Sequence, residues 1–107
     1  MISYRHFFNR YNDPWVIPGG YTMAVDVERK VIGFAFCSQK DQYCKKTGRD
    51  LATKRVKEQS GDGSIIIVSM PKGLAEGTRH FQREATRDAL DYIEFFWPNT
   101  PFGITYG

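Results

Sequence analysis

Residues 21–37, YTMAVDVERKVIGFAFC, constrain the fold more than any other stretch. Tyr21, Met23, Val25 and Val27 alternate with Thr22, Ala24 and Asp26, the period of a strand that buries one face. Glu28-Arg29-Lys30 is a short polar link. Residues 31–37 are then apolar on both faces. Together the two runs predict a β-hairpin whose second strand is the more buried.

Ser38-Gln39-Lys40-Asp41 has the S-x-x-D pattern of a helix start. The helix is predicted to run to Lys57 or Glu58, with Cys44, Gly48, Leu51, Ala52 and Val56 on its apolar side. Gly48 costs such a helix about 1 kcal/mol relative to alanine. The expected compensation is a close approach to the sheet. Ser60-Gly61-Asp62-Gly63 ends the unit, and residues 64–70 (SIIIVSM) form a continuous apolar, central strand. After Pro71-Lys72-Gly73, a second helix is predicted from Ala75 to Phe96, with Phe81, Ala85, Ala89, Tyr92 and Phe96 as its core stripe. The tail PFGITYG fits an edge strand or an arm. Residues 1–20 receive no assignment, although Asn12-Asp13-Pro14 and Pro18-Gly19-Gly20 read as breaks.

The 107 residues thus form one α+β domain in the order ββαβα. The simplest packing is a mostly antiparallel sheet of three to five strands with both helices on one face. At 41% hydrophobic and 25% charged residues the chain is globular. It has no apolar run of membrane-spanning length and no signal-peptide core near its start, which suggests a cytoplasmic setting. Cys37 and Cys44 are expected to be unpaired core residues there, not a metal site.

Charge is concentrated in the first helix. Between Lys40 and Lys57 seven cations face only Asp41 and Asp50, a net +5 in a chain whose total is +3. Lys45, Lys46, Arg49 and Lys57 fall away from the apolar stripe and suit phosphate contacts or an acidic protein face. A solvated helix face is the commoner origin of such a run. Arg55 falls on the apolar stripe instead. It calls for a specific contact: an ion pair with a carboxylate, a cap on a sheet edge, or an anionic ligand.

A second candidate lies near the N-terminus, where Tyr4, Phe7, Tyr11 and Trp15 interleave with Arg5, His6 and Arg10. Such rings stack on bases, anchor a protein interface, or complete the core. Glu84, Asp88, Asp91 and Glu94 have the spacing of a Mg²⁺ or acid-pair site. Intrahelical salt bridges such as Arg87–Asp91 account for them better. No phosphate-loop, zinc-protease, serine-hydrolase or dinucleotide fingerprint occurs, so neither enzymatic activity nor a cofactor is expected.

The stretch VIGFAFCSQKDQYCKKTGRDLATKRV resembles a segment recurring in small bacteriophage-encoded proteins. The resemblance rests on Cys37, Ser38, Asp41, Tyr43, Lys45, Lys46, Gly48, Arg49, Leu51, Ala52 and Arg55 and covers about a quarter of the chain. It implies an accessory protein that interferes with host machinery or host defence in the host cytoplasm. Two binding readings follow. One partner is a phosphate-bearing ligand, nucleic acid or nucleotide, held by Lys45, Lys46, Arg49, Arg55 and Lys57 with Arg5, Phe7, Arg10, Tyr11 and Trp15. The other is a host protein gripped by the same aromatic and basic residues. A homo-oligomer is compatible with both, and a metal-dependent enzyme ranks behind them.

Overall fold

A computed structural model describes residues 1–9, 19–37, 45–71 and 79–106. The elements are β1 (Ile2–Asn9), β2 (Gly19–Asp26), β3 (Val31–Cys37), α1 (Lys45–Lys57), β4 (Ile66–Met70), α2 (Arg79–Phe96) and β5 (Phe102–Tyr106). One five-stranded sheet runs in the order β1-β2-β3-β4-β5. Antiparallel pairing dominates, with eight positions joining β1 to β2 and seven joining β2 to β3. Three parallel positions join β3 to β4 and five join β4 to β5. The α+β class and the ββαβα order hold. The unassigned start supplies a further strand, and the tail is the edge strand β5.

The helices do not share a face. Tyr21, Met23, Val25, Ile32, Phe34, Ile66, Val68 and Met70 form one core with Phe81, Ala85, Ala89 and Ile93 of α2. Ala24, Val31 and Ala35 form a second core with Ala52 and Val56 of α1. Strand side chains alternate between faces, so these two cores lie on opposite sides of the sheet. The cause is visible in β3 and β4, which are apolar on both faces and need cover on both. β2 is for the same reason buried along its whole length, no less than β3. The arrangement also has a topological consequence. The crossovers β3–α1–β4 and β4–α2–β5 advance in the same direction across the sheet with their helices on opposite faces. One of the two is therefore left-handed, against a strong right-handed preference.

The two sides pack differently. The α2 side is filled by large side chains, and the α1 side by alanine, valine and glycine. A Cβ on Gly48 would collide with the Thr22 hydroxyl, and one on Gly33 would meet Val56 Cγ2 at 2.8 Å and the Ala52 carbonyl at 3.1 Å. The expected close approach at Gly48 is thus present. Leu51 lies off the apolar stripe and is exposed, as is Phe96 on α2, where Ile93 takes the buried position. Phe96 fails because it stands in the last turn, at the margin of the core that Ile93 closes.

The hairpin link does more than connect. Arg29 donates to the Gly61 carbonyl at 3.3 Å, to the Val56 carbonyl at 3.5 Å and to the Gln59 carbonyl. It also pairs with Asp26 at 3.4 Å. These carbonyls belong to the end of α1 and the chain just beyond it, where helix acceptors lack partners and a cation opposes the dipole favourably. Lys30 completes the turn at a φ of 56°.

Two substitutions test this seam. Gly33→Ala is expected to cost about 1–3 kcal/mol by overpacking against α1 backbone. Arg29→Ala is expected to cost about 2 kcal/mol through lost charge-assisted bonds at the end of α1. Urea unfolding curves measure both, and losses under 0.5 kcal/mol would contradict the packing described.

Candidate anion-binding face

The outward surface of α1 carries Lys46, Arg49, Lys54 and Lys57, all exposed, with Asp50 and Glu58 among them. Among the described residues none of these four cations is in an ion pair. From Lys46 to Lys57 the axis rises about 16 Å, and at about 100° per residue the four charges spread as an elongated band over about 140° of the outer surface. Beneath them the helix is seated closely on the sheet, where Ala52 and Val56 are wholly buried.

The face is continued by β1, which flanks it. The Tyr4 hydroxyl and Thr53 Oγ1 of α1 are hydrogen-bonded at 2.6 Å. His6 Nδ1 lies 2.9 Å from Thr22 Oγ1 on the same side of the sheet. Tyr4 is 40% exposed, leaving an aromatic edge beside the cations. The sequence pattern had set Tyr4 among the N-terminal rings without distinguishing it from Phe7. Strand alternation separates the two.

Other residues weighed as ligand-binding are placed elsewhere. Arg55 turns inward and donates to the Phe34 carbonyl. Phe34 lies one residue beyond the last β3–β4 pair, Gly33 with Ser69, so Arg55 caps a sheet edge. The expected carboxylate partner is not what it meets. Burial lowers the Arg55 pKa, and the nearby Glu58 charge partly restores it. Phe7 is a core ring, stacked on Tyr21 with centroids 5.2 Å apart and tilted against Phe81. Arg5 is on the α2 side, 3.8 Å from Asp88. Neither joins the α1 face. The side chain of Lys45 and the whole of Arg10, Tyr11 and Trp15 lie outside the described residues, as do the Cys37 side chain, Cys44 and the proposed cap at Ser38–Asp41.

Asp88 serves a different purpose from an acid pair or an intrahelical bridge. It accepts a hydrogen bond from the Tyr21 hydroxyl while facing Arg5. Tyr21 is almost wholly buried, and its pKa is raised first by burial and then by the Asp88 hydrogen bond and charge. No ion pair joins Arg87 to Asp91 among the described residues. One flank of α2, with Gln82, Arg83, Thr86, Arg87, Leu90 and Asp91, borders an open hollow of about 640 Å³. It lies across the sheet from the basic row. Among the described residues no group of three or more His, Cys, Asp or Glu could hold a metal ion, and no helix is long and apolar enough to cross a membrane. No family model, curated protein or solved structure matches the chain.

Two outcomes check these placements. Arg55→Ala should cost on the order of 2 kcal/mol, whereas Lys57→Ala should stay within about 0.5 kcal/mol. Equal losses in thermal or urea unfolding would refute the inward role of Arg55. Tyr21 sets an alkaline limit. Its pKa is raised in the folded state, so its contribution is intact below the ordinary tyrosine value of about 10. That contribution declines as pH rises further, because only the unfolded chain can readily release the proton. Stability followed by circular dichroism should therefore fall above that pH. The fall should be shallower in Tyr21→Phe, whose midpoint at neutral pH is lower.

Proposed function

We propose that this chain is a non-enzymatic binding domain that engages the phosphate backbone of a nucleic acid through the outer face of α1. The observation that supports it is the band of Lys46, Arg49, Lys54 and Lys57, exposed on one helix without an ion-pair partner among the described residues. Asp50 and Glu58 interrupt the row but leave the cations in excess. Enclosed small ligands need walls that bury most of their surface, and the described part of this face is open. An open row of cations suits an extended polyanion better than a free nucleotide. Tyr4 at its border could stack on an unpaired base. The resemblance to phage-encoded segments adds a setting in which such binding interferes with host machinery or host defence. A host protein with an acidic surface is the alternative partner, and for it Phe7 is not available as an anchor because the core holds it.

Binding to a labelled mixed-sequence oligonucleotide, single- and double-stranded, tests the reading. Affinity should fall with salt, with a log–log slope of about 0.9 per duplex phosphate neutralised. The triple variant K46E/R49E/K57E should keep the wild-type circular dichroism spectrum and lose at least tenfold in affinity. A folded triple variant that binds both oligonucleotides as wild type does, or a wild type that binds neither at low salt, would overturn the proposal.

A further inference from the structure

Among the described residues the sheet has two open edges, and they are chemically unlike. The β1 edge carries Arg5, held near Asp88, and His6, and the amino group of Met1 just before it pairs with Glu28 at 3.5 Å. The other edge, β5, is FGITY. It holds no charge and no proline, and the lysines, inward charges and bulges that usually blunt an edge strand are missing from it. It pairs with β4 on one side only.

The exposed rings gather at the same margin. β5 pairs with β4 in the register Ile66 with Phe102, Val68 with Ile104 and Met70 with Tyr106. In a parallel pair, partners share a face, so Phe102, Ile104 and Tyr106 are on the α2 side. Ile104 packs against the core, while Phe102 is 47% and Tyr106 60% exposed. Phe96 at the end of α2 is 55% exposed. Phe96 stacks near Tyr92, with centroids 4.4 Å apart, and Tyr92 meets Trp97 at 5.4 Å. The short connection from Trp97 to Pro101 brings this end of α2 to the Phe102 end of β5.

We infer that β5 is a homodimer interface in which two copies join antiparallel across a two-fold axis at Ile104, forming one ten-stranded sheet. The sequence of β5 argues for a second copy over an unrelated partner. About Ile104 it reads aromatic, small, aliphatic, small, aromatic, nearly the same in both directions. An isologous pairing must be self-complementary, and this one sets Phe102 opposite the partner's Tyr106 twice, Gly103 opposite the partner's Thr105 twice, and Ile104 opposite itself. The aromatic pairs are of a stabilising kind, Gly103 leaves room for the partner's Thr105, and no like charges meet. The end of α2 at the Phe102 side brings Phe96 close to the partner's Tyr106.

The area is of the right order. With aromatic side chains offering about 150–250 Å² each, the exposed parts of Phe96, Phe102 and Tyr106 amount to about 300 Å² per copy. A stable interface buries about 800 Å² per partner, and the strand backbone and the flanking Ile65 and Leu90 can supply the remainder. The inference is independent of what α1 binds, since α1 packs on the opposite face.

Sedimentation velocity over a concentration series tests it. Wild type should sediment as a dimer that dissociates on dilution. F102K/Y106K, which alters two exposed side chains, should keep the wild-type spectrum and weaken the dimer at least tenfold, because two lysines then face each other at both ends. F102E/Y106E should do the same. Mixing the two variants should restore a dimer, since the register sets each lysine opposite a glutamate. A wild type that stays monomeric up to its solubility limit, a folded lysine variant that dimerises as wild type does, or a mixture of folded variants that stays monomeric would each overturn the inference. Should the lysine variant not fold, F102S/Y106S, which removes both aromatic pairs without adding charge, replaces it with the same expectation.

Discussion

Everything else in this structure depends on the burial of β2 between two helices. A strand covered on both faces keeps no water for its polar groups, and each must be satisfied within the protein. The Tyr21 hydroxyl finds Asp88 on α2, Thr22 finds His6 on β1, and Asp26 finds Arg29 in the hairpin turn. These three contacts reach the neighbouring strand, the facing helix and the turn that holds the end of α1. No buried side-chain nitrogen or oxygen lacks a partner among the described residues. The polar residues of β2 therefore set where its neighbours must sit, while its apolar residues supply the adhesion.

The two faces that result divide the labour of the domain. On the α1 side, glycine and alanine let backbone approach backbone, and the helix turns nearly all its long side chains outward. That is how a short helix displays four cations on one side of the sheet. On the α2 side, large rings fill the core, and the surplus aromatics emerge at the β5 margin. The basic face of α1 and the exposed rings at the β5 margin thus lie apart, so a polyanion on one and a protein on the other would not compete for the same residues.

Much of this was legible in the chain. Alternation in residues 21–27 and the apolar runs at 31–37 and 64–70 marked strands, because a buried strand leaves a strong local pattern, although Val27 falls in the turn and Ser64 and Ile65 precede β4, all three exposed. Gly48 gave away the close helix–sheet contact by its cost in a helix. The placement of the helices was also written there, in the two-sided apolarity of β3 and β4, but the simpler one-faced packing obscured it. Other features were not legible. Arg55 on an apolar stripe announced a specific contact, yet whether its partner would be a carboxylate or a strand carbonyl depends on where the β3–β4 pairing ends. Phe7 and Tyr4 looked alike until strand register sent them to opposite faces. Arg29 looked like a turn residue, since nothing local says that a helix from 30 residues later will end against it.

The small-residue seam beneath α1 has a further consequence, for motion. Alanine and glycine permit a tight fit but remove little apolar surface from water, and α1 contributes only Ala52 and Val56 to its core, against four residues of α2. The free energy that holds α1 to the sheet therefore resides largely in the Arg29 and Arg55 contacts and in shape, not in hydrophobic mass. Local opening is easiest where buried apolar contacts are fewest. The amide hydrogens of α1 should accordingly exchange with solvent sooner than those of α2, which makes the basic helix the element most easily lifted from the fold and the one whose exchange a bound partner would slow most.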